Sequence, residues 1–218
     1  MKTKTLVVTA VAGVGLLASG ILIQGAMNRA ANRPTNVAMN HSMHQEGQQA
    51  GQQGEMMHGM QVNSELEYLS EMIPHHQEAI DGAKLILERS DRPEMKQFAQ
   101  DIIEVQTREI NQMQTWLKDW YPGQSASPTY SPMMRDMAQL QGDALDRAFL
   151  EDMVMHHEGA VMMSQMLLNR NLVEHQAVRP FAEAIATTQQ QEISQMQTWL
   201  KSWFGVAETM PEMHHGMH

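Results

Sequence analysis

The stretch Met72-Ile-Pro-His-His-Gln-Glu-Ala-Ile80 recurs as Met153-Val-Met-His-His-Glu-Gly-Ala-Val161, an offset of 81 residues. A second pair follows it: Glu109-Ile-Asn-Gln-Met-Gln-Thr-Trp-Leu-Lys118 and Glu192-Ile-Ser-Gln-Met-Gln-Thr-Trp-Leu-Lys201, offset by 83. The two-residue difference falls in the turn between the repeated segments. Each copy therefore reads as a helical hairpin, and the chain as a duplication. Two hairpins with one apolar stripe each can hide those stripes only by packing on one another about a pseudo-twofold axis. The expected fold is all-α, a four-helix bundle of two repeated hairpins.

Local signals agree. Ser64 and Glu67 form a capping box, after which apolar residues recur at three and four, so the first helix runs over about 64–89. Asp91 and Pro93 suit the cap and first turn of a second helix that reaches Trp120, where Tyr121-Pro122-Gly123 stops it. A Pro/Ser loop covers 124–132, and Ser131-Pro132 is a candidate start for a short helix before Gly142. The bundle spans 62–206, with hairpin one at 64–120, a linker at 121–142 and hairpin two at 143–204. No period of two persists long enough for a strand.

On a helical projection Met72, His76, Ala79 and Ala83 share one line, with His75 at its edge. Pro74 removes the hydrogen bond to the Ser70 carbonyl, and the resulting bend would turn His75 outward. Met155 stands at the matching place in hairpin two, so no shared function requires the bend. In the second helix Phe98, Ile102, Val105, Glu109, Met113, Trp116 and Trp120 align, which sets a carboxylate inside an apolar stripe. A buried carboxylate needs a partner. His76 lies about 14 residues before the turn near Ser90 and Glu109 about 19 after it, at comparable depth at ~1.5 Å per residue. Met72, His76, Glu109 and Met113 should thus meet, and Met153, His157, Glu192 and Met196 should meet in the other half.

Composition suggests what such a set holds. The 218 residues include 22 Met and 11 His but no Cys, so the only sulfur ligand is thioether, which survives an oxidising compartment. Thioether favours Cu(I), while imidazole accepts Cu(I), Cu(II) and Zn alike. Candidate copper ligands are Met72, His75, His76, Met113, Met153, His156, His157 and Met196, with Glu109 and Glu192 orienting imidazoles; Ag(I) and Cu(II) are further candidate ions. A hydrogen-bonded His–Glu pair that only fixes helix register is the alternative reading. The pairs Trp116/Trp120 and Trp199/Trp203 read as packing at the bundle ends.

Two segments carry soft donors with no core to fill. The arm at 27–61 contains Met39, His41, Met43, His44, Met56, Met57, His58 and Met60, and the tail at 207–218 contains Met210, Met213, His214, His215, Met217 and His218. Both read as disordered Met/His-rich arms that capture copper. Residues 1–26, with Lys2 and Lys4 ahead of an uncharged run from Leu6 to Ile23, read as a signal peptide or an uncleaved anchor, the only expected contact with a membrane. Location is then periplasmic or extracellular. A formal net charge of -10 excludes nucleic acid as a partner.

The two Met-x-x-His-His motifs, each followed by Glu-Ile-x-x-Met-x-x-Trp-Leu, resemble a widespread bacterial family of ferritin-like domains of unknown function, over about 64–205. The likeness is greater to its exported, copper-binding cyanobacterial members. That resemblance implies a four-helix bundle, export, Cu(I) binding and a part in copper resistance; separately, weak, multiple thioether sites exchange their ion faster than a closed cage, which suits a buffer or a donor to an efflux system or sensor. The ferritin-like label also raises a di-iron oxidoreductase, but such sites use Glu-x-x-His twice. Here Glu71 and His75 are four apart, as are Asp152 and His156, so no catalytic residue is assigned. A metal-free structural bundle is the third reading.

Overall fold

A computed structural model describes residues 61–124, 126 and 130–206. The N-terminal segment, the arm ligands from Met39 to Met60 and the tail ligands from Met210 to His218 lie outside the described residues. Among those described there are four helices and no strand: α1 (Glu65–Arg89), α2 (Pro93–Trp120), α3 (Gly142–Asn169) and α4 (Val178–Phe204). They form the four-helix bundle of two hairpins, α1/α2 and α3/α4, joined face to face through α1 and α3.

The boundaries have local causes. Ser64 caps α1, its Oγ accepting from Glu67 N at 3.1 Å, while the Glu67 carboxylate accepts from Asn63 N at 2.9 Å. Pro93 opens α2, but the residue before it is Arg92, without a side-chain cap, and not the expected Asp91. Gly205, at φ 67°, ends α4 in the left-handed conformation that costs glycine nothing.

α1 and α3 are the inner helices. Twelve of 25 residues in α1 and 15 of 28 in α3 are buried, against seven each in α2 and α4, because α1 and α3 pack on their hairpin partners and on each other. This crossing corrects the expectation for His75, which is fully buried because α3 covers the edge on which it stands. In α2 the buried stripe is Met95, Phe98, Ala99, Ile102, Gln106, Ile110 and Met113, so Glu109 sits at its margin, its side chain 19% exposed.

No helix starts at Ser131-Pro132. The backbone there spends its donors on carboxylates of the bundle: Met133 N and Met134 N donate to Glu78, and Arg135 N donates to Asp152 at 2.8 Å. The tryptophan pairs stack at the two ends. Trp116 lies 5.1 Å from Trp120, which stacks on His175 at 4.0 Å; Trp199 lies 5.1 Å from Trp203, over which the Arg92 guanidinium sits.

Candidate metal centre

Each hairpin holds its histidine and glutamate together. His76 Nε2 lies 2.8 Å from Glu109 Oε2, and His157 Nε2 lies 2.7 Å from Glu192 Oε2. An ionised carboxylate only accepts, so Nε2 carries a proton in both rings, and in a neutral imidazole so oriented Nδ1 presents a lone pair. This is the arrangement in which a carboxylate fixes the tautomer of a ligating histidine.

Between the two pairs, on the line where α1 crosses α3, the rings of His75 and His156 pack with centroids 3.7 Å apart. His76 and His157 follow on either side, at 6.2 Å from His75 and 6.1 Å from His156. All four imidazoles are fully buried. His156 Nε2 donates to the His75 carbonyl at 3.0 Å. Five ring nitrogens, His75 Nδ1 and Nε2 with the Nδ1 atoms of His76, His156 and His157, have no hydrogen-bond partner among the described residues. Buried polar atoms are rarely left so, at a cost of about 1–3 kcal/mol each. Burial first, and the neighbouring imidazoles second, hold His75 and His156 well below the usual histidine range. They are neutral at pH 7, the state in which imidazole binds a metal.

The four methionines are fully buried as well, but in two separate apolar clusters. Met72 and Met113 share one with Ile110 and Met163, and Met153 and Met196 share the other with Ile193 and Phe149. Each half of the bundle thus buries two methionine thioethers in its apolar core. Among the described residues no three His, Asp or Glu side chains converge as a metal site, the convergence that a di-iron centre would require.

Several polar residues around this centre have no signature in the sequence. Glu78 accepts from the Tyr130 hydroxyl as well as from the linker backbone, and Tyr130 stands edge-on to His75 at 5.7 Å. Burial and then the Glu78 hydrogen bond push the Tyr130 phenol upward, so it remains a donor. Asp152 takes both the backbone and the guanidinium of Arg135. Tyr68 and Ser164 bond across α1 and α3 at 3.0 Å. Each of these contacts spans a distance in sequence that no local pattern encodes.

Comparison with known proteins adds to this geometry. The sequence profile described as Domain of unknown function (DUF305) matches residues 65–200, and again 146–218, the second match beginning in α3 where the duplicated motif restarts. CopM in its Cu(I)-bound form is similar at 35% identity, over 66% of this chain and 100% of that one, with a TM-score of 0.58. CopM structures with Cu(II) and with Ag bound match over the same 66%, each with a TM-score of 0.57. A DUF305 fragment from Deinococcus radiodurans is 32% identical over 64% of this chain and 96% of its own, with a TM-score of 0.54. The uncharacterized protein L153 of Acanthamoeba polyphaga mimivirus is 47% identical over 53 residues, or 24% of this chain; the match spans 35% of that protein's length.

Proposed function

Because the chain belongs to the DUF305 family, we propose that it is an exported copper-binding protein that sequesters Cu(I) or passes it on through Met and His ligands. Its contribution is to copper resistance and homeostasis. The observation that carries this reading is the set of five unpartnered, buried imidazole nitrogens, in a bundle that also buries four thioethers. A purely structural His–Glu pair has no use for a free Nδ1 in each ring. That CopM, the structural relative described above, has Cu(I)-, Cu(II)- and Ag-bound forms supports the same choice of ions.

Met72, His76 and Met113 serve one half and Met153, His157 and Met196 the other. Glu109 and Glu192 orient the imidazoles, and His75 and His156 stand between the halves. The Met/His arms at 27–61 and 207–218 capture copper ahead of the bundle. Residues 1–26 direct export to the periplasm or beyond, and either leave the mature chain or anchor it. No turnover is required of such a protein: multiple thioether sites exchange Cu(I) with an efflux system or sensor.

X-ray absorption on the copper-loaded chain tests this. A Cu(I) edge with sulfur and nitrogen scatterers is expected; oxygen and nitrogen alone would overturn the reading. Within the bundle, Met72→Leu with Met113→Leu should remove sulfur scattering from one site while leaving apo stability within about 1.5 kcal/mol per substitution, since Leu and Met are close in volume.

A further inference from the structure

α2 and α4 face each other across a cleft that carries a duplicated polar set, Gln106 and Glu109 from one helix and Gln189 and Glu192 from the other, each pair offset by 83, with Thr188 opposite Val105 as the one polar departure from the repeat. Gln106 is 2% exposed and Gln189 3%. The Oε1 atom of each is buried without a hydrogen-bond partner among the described residues. An amide oxygen left so is costly, and apolar side chains would fill the space without penalty, so two of them at equivalent positions call for a ligand. The carboxylates add acceptors: Glu109 and Glu192 each give one oxygen to a histidine and keep the other. No Lys, Arg or His lines the cleft, and neither does any sulfur.

We propose that this cleft is a second metal site, built of two carboxylate and two amide oxygens, that takes a hard divalent cation. Oxygen-only donors suit Mg, Ca and Mn, whereas soft Cu(I) prefers the thioethers. The two negative charges set the sign of the ligand, and the buried amides fix its place on the pseudo-twofold axis. Glu109 and Glu192 also hold His76 and His157, but no proposed copper ligand lines the cleft and neither glutamine hydrogen-bonds to one among the described residues.

Mn(II) titration of the full chain, followed by electron paramagnetic resonance, tests it. One saturable Mn(II) per chain is expected at the cleft. Gln106→Leu with Gln189→Leu should weaken it by about tenfold or more, and Gln106→Glu should tighten it. Cu(I) uptake and its sulfur scattering should be unchanged in both variants, which separates this test from that of copper binding. A chain with no saturable Mn(II) site, or with an affinity that neither variant alters, would overturn the proposal. Should the double variant not fold, Gln106→Glu alone decides it.

Discussion

Replacing Glu109 with Ala tests the pair on which the centre rests. The His76 ring is fully buried, and its Nε2 proton has Glu109 as its partner at 2.8 Å. Its other nitrogen is already unpartnered. Truncation leaves an N–H stranded in an apolar surround, at a cost of about 1–3 kcal/mol in the apo protein. Part of that is regained by water, since the carboxylate side chain is 19% exposed, so the lower half of the range is expected. The copper consequence is separate and larger in relative terms. Losing the group that fixes a ligating imidazole costs about 10–100-fold in metal affinity. Glu109→Gln keeps an oxygen acceptor and should recover most of the stability. Urea unfolding followed by tryptophan fluorescence gives the first number, and competition against a Cu(I) chelator gives the second. Stability within about 0.5 kcal/mol of the parent chain, with unaltered competition, would refute both the pairing argument and the role given to Glu109.

Burial holds His75 and His156 neutral in the folded chain, while the unfolded chain protonates them below the ordinary histidine pKa of about 6.5. Apo stability should therefore be flat above pH 7 and fall as pH drops below about 6.5, approaching about 1.4 kcal/mol per pH unit for each histidine; a flat profile in urea from pH 7 to 5 would contradict their burial. Glu65 is fully buried and accepts from Glu174 N at 2.7 Å, from His175 N at 2.9 Å and from His175 Nδ1 at 2.7 Å, so Glu65→Ala should cost about 3 kcal/mol by calorimetry and loosen the α3–α4 turn. Gly205→Ala should cost about 1 kcal/mol because φ is 67° there. Gly82→Ala, by contrast, should be near neutral in the same assay: its Cβ meets the flexible end of Met134 at 3.2 Å, and a better helix former offsets the shift.

The bundle and the His–Glu pairs could be read from the chain because both depend on short-range information. Repetition marks the hairpins, periodicity marks the faces, and counting from a turn sets the depth at which His76 and Glu109 meet. The burial of His75 could not be read in this way. It depends on the crossing of α1 and α3, helices 81 residues apart at His75 and His156, and a projection of α1 alone leaves its second buried face unassigned. The α2 stripe was displaced for a related reason. Gln106 and Gln189 are buried amides that a hydropathy pattern scores as solvent-facing, so Val105 and Glu109 took their place. The linker failed differently: its structure is dictated by Glu78 and Asp152, carboxylates whose i,i+4 neighbourhoods resemble any exposed helix face.

Duplication does not make the two halves equal, and the departures from symmetry cluster on one side. Pro74, Glu78 and Gly82 of α1 correspond to Met155, Gly159 and Met163 of α3, at the common offset of 81. In the second half Met163 fills its own place in the core. In the first half Gly82 leaves that volume open, and Met134 comes in from the linker to occupy it, against Phe149. Glu78, which Gly159 cannot mimic, then holds the linker backbone down and sets Tyr130 beside His75. These substitutions act together: a glycine makes room, a carboxylate supplies the anchor, and the linker packs over the central histidines through Tyr130.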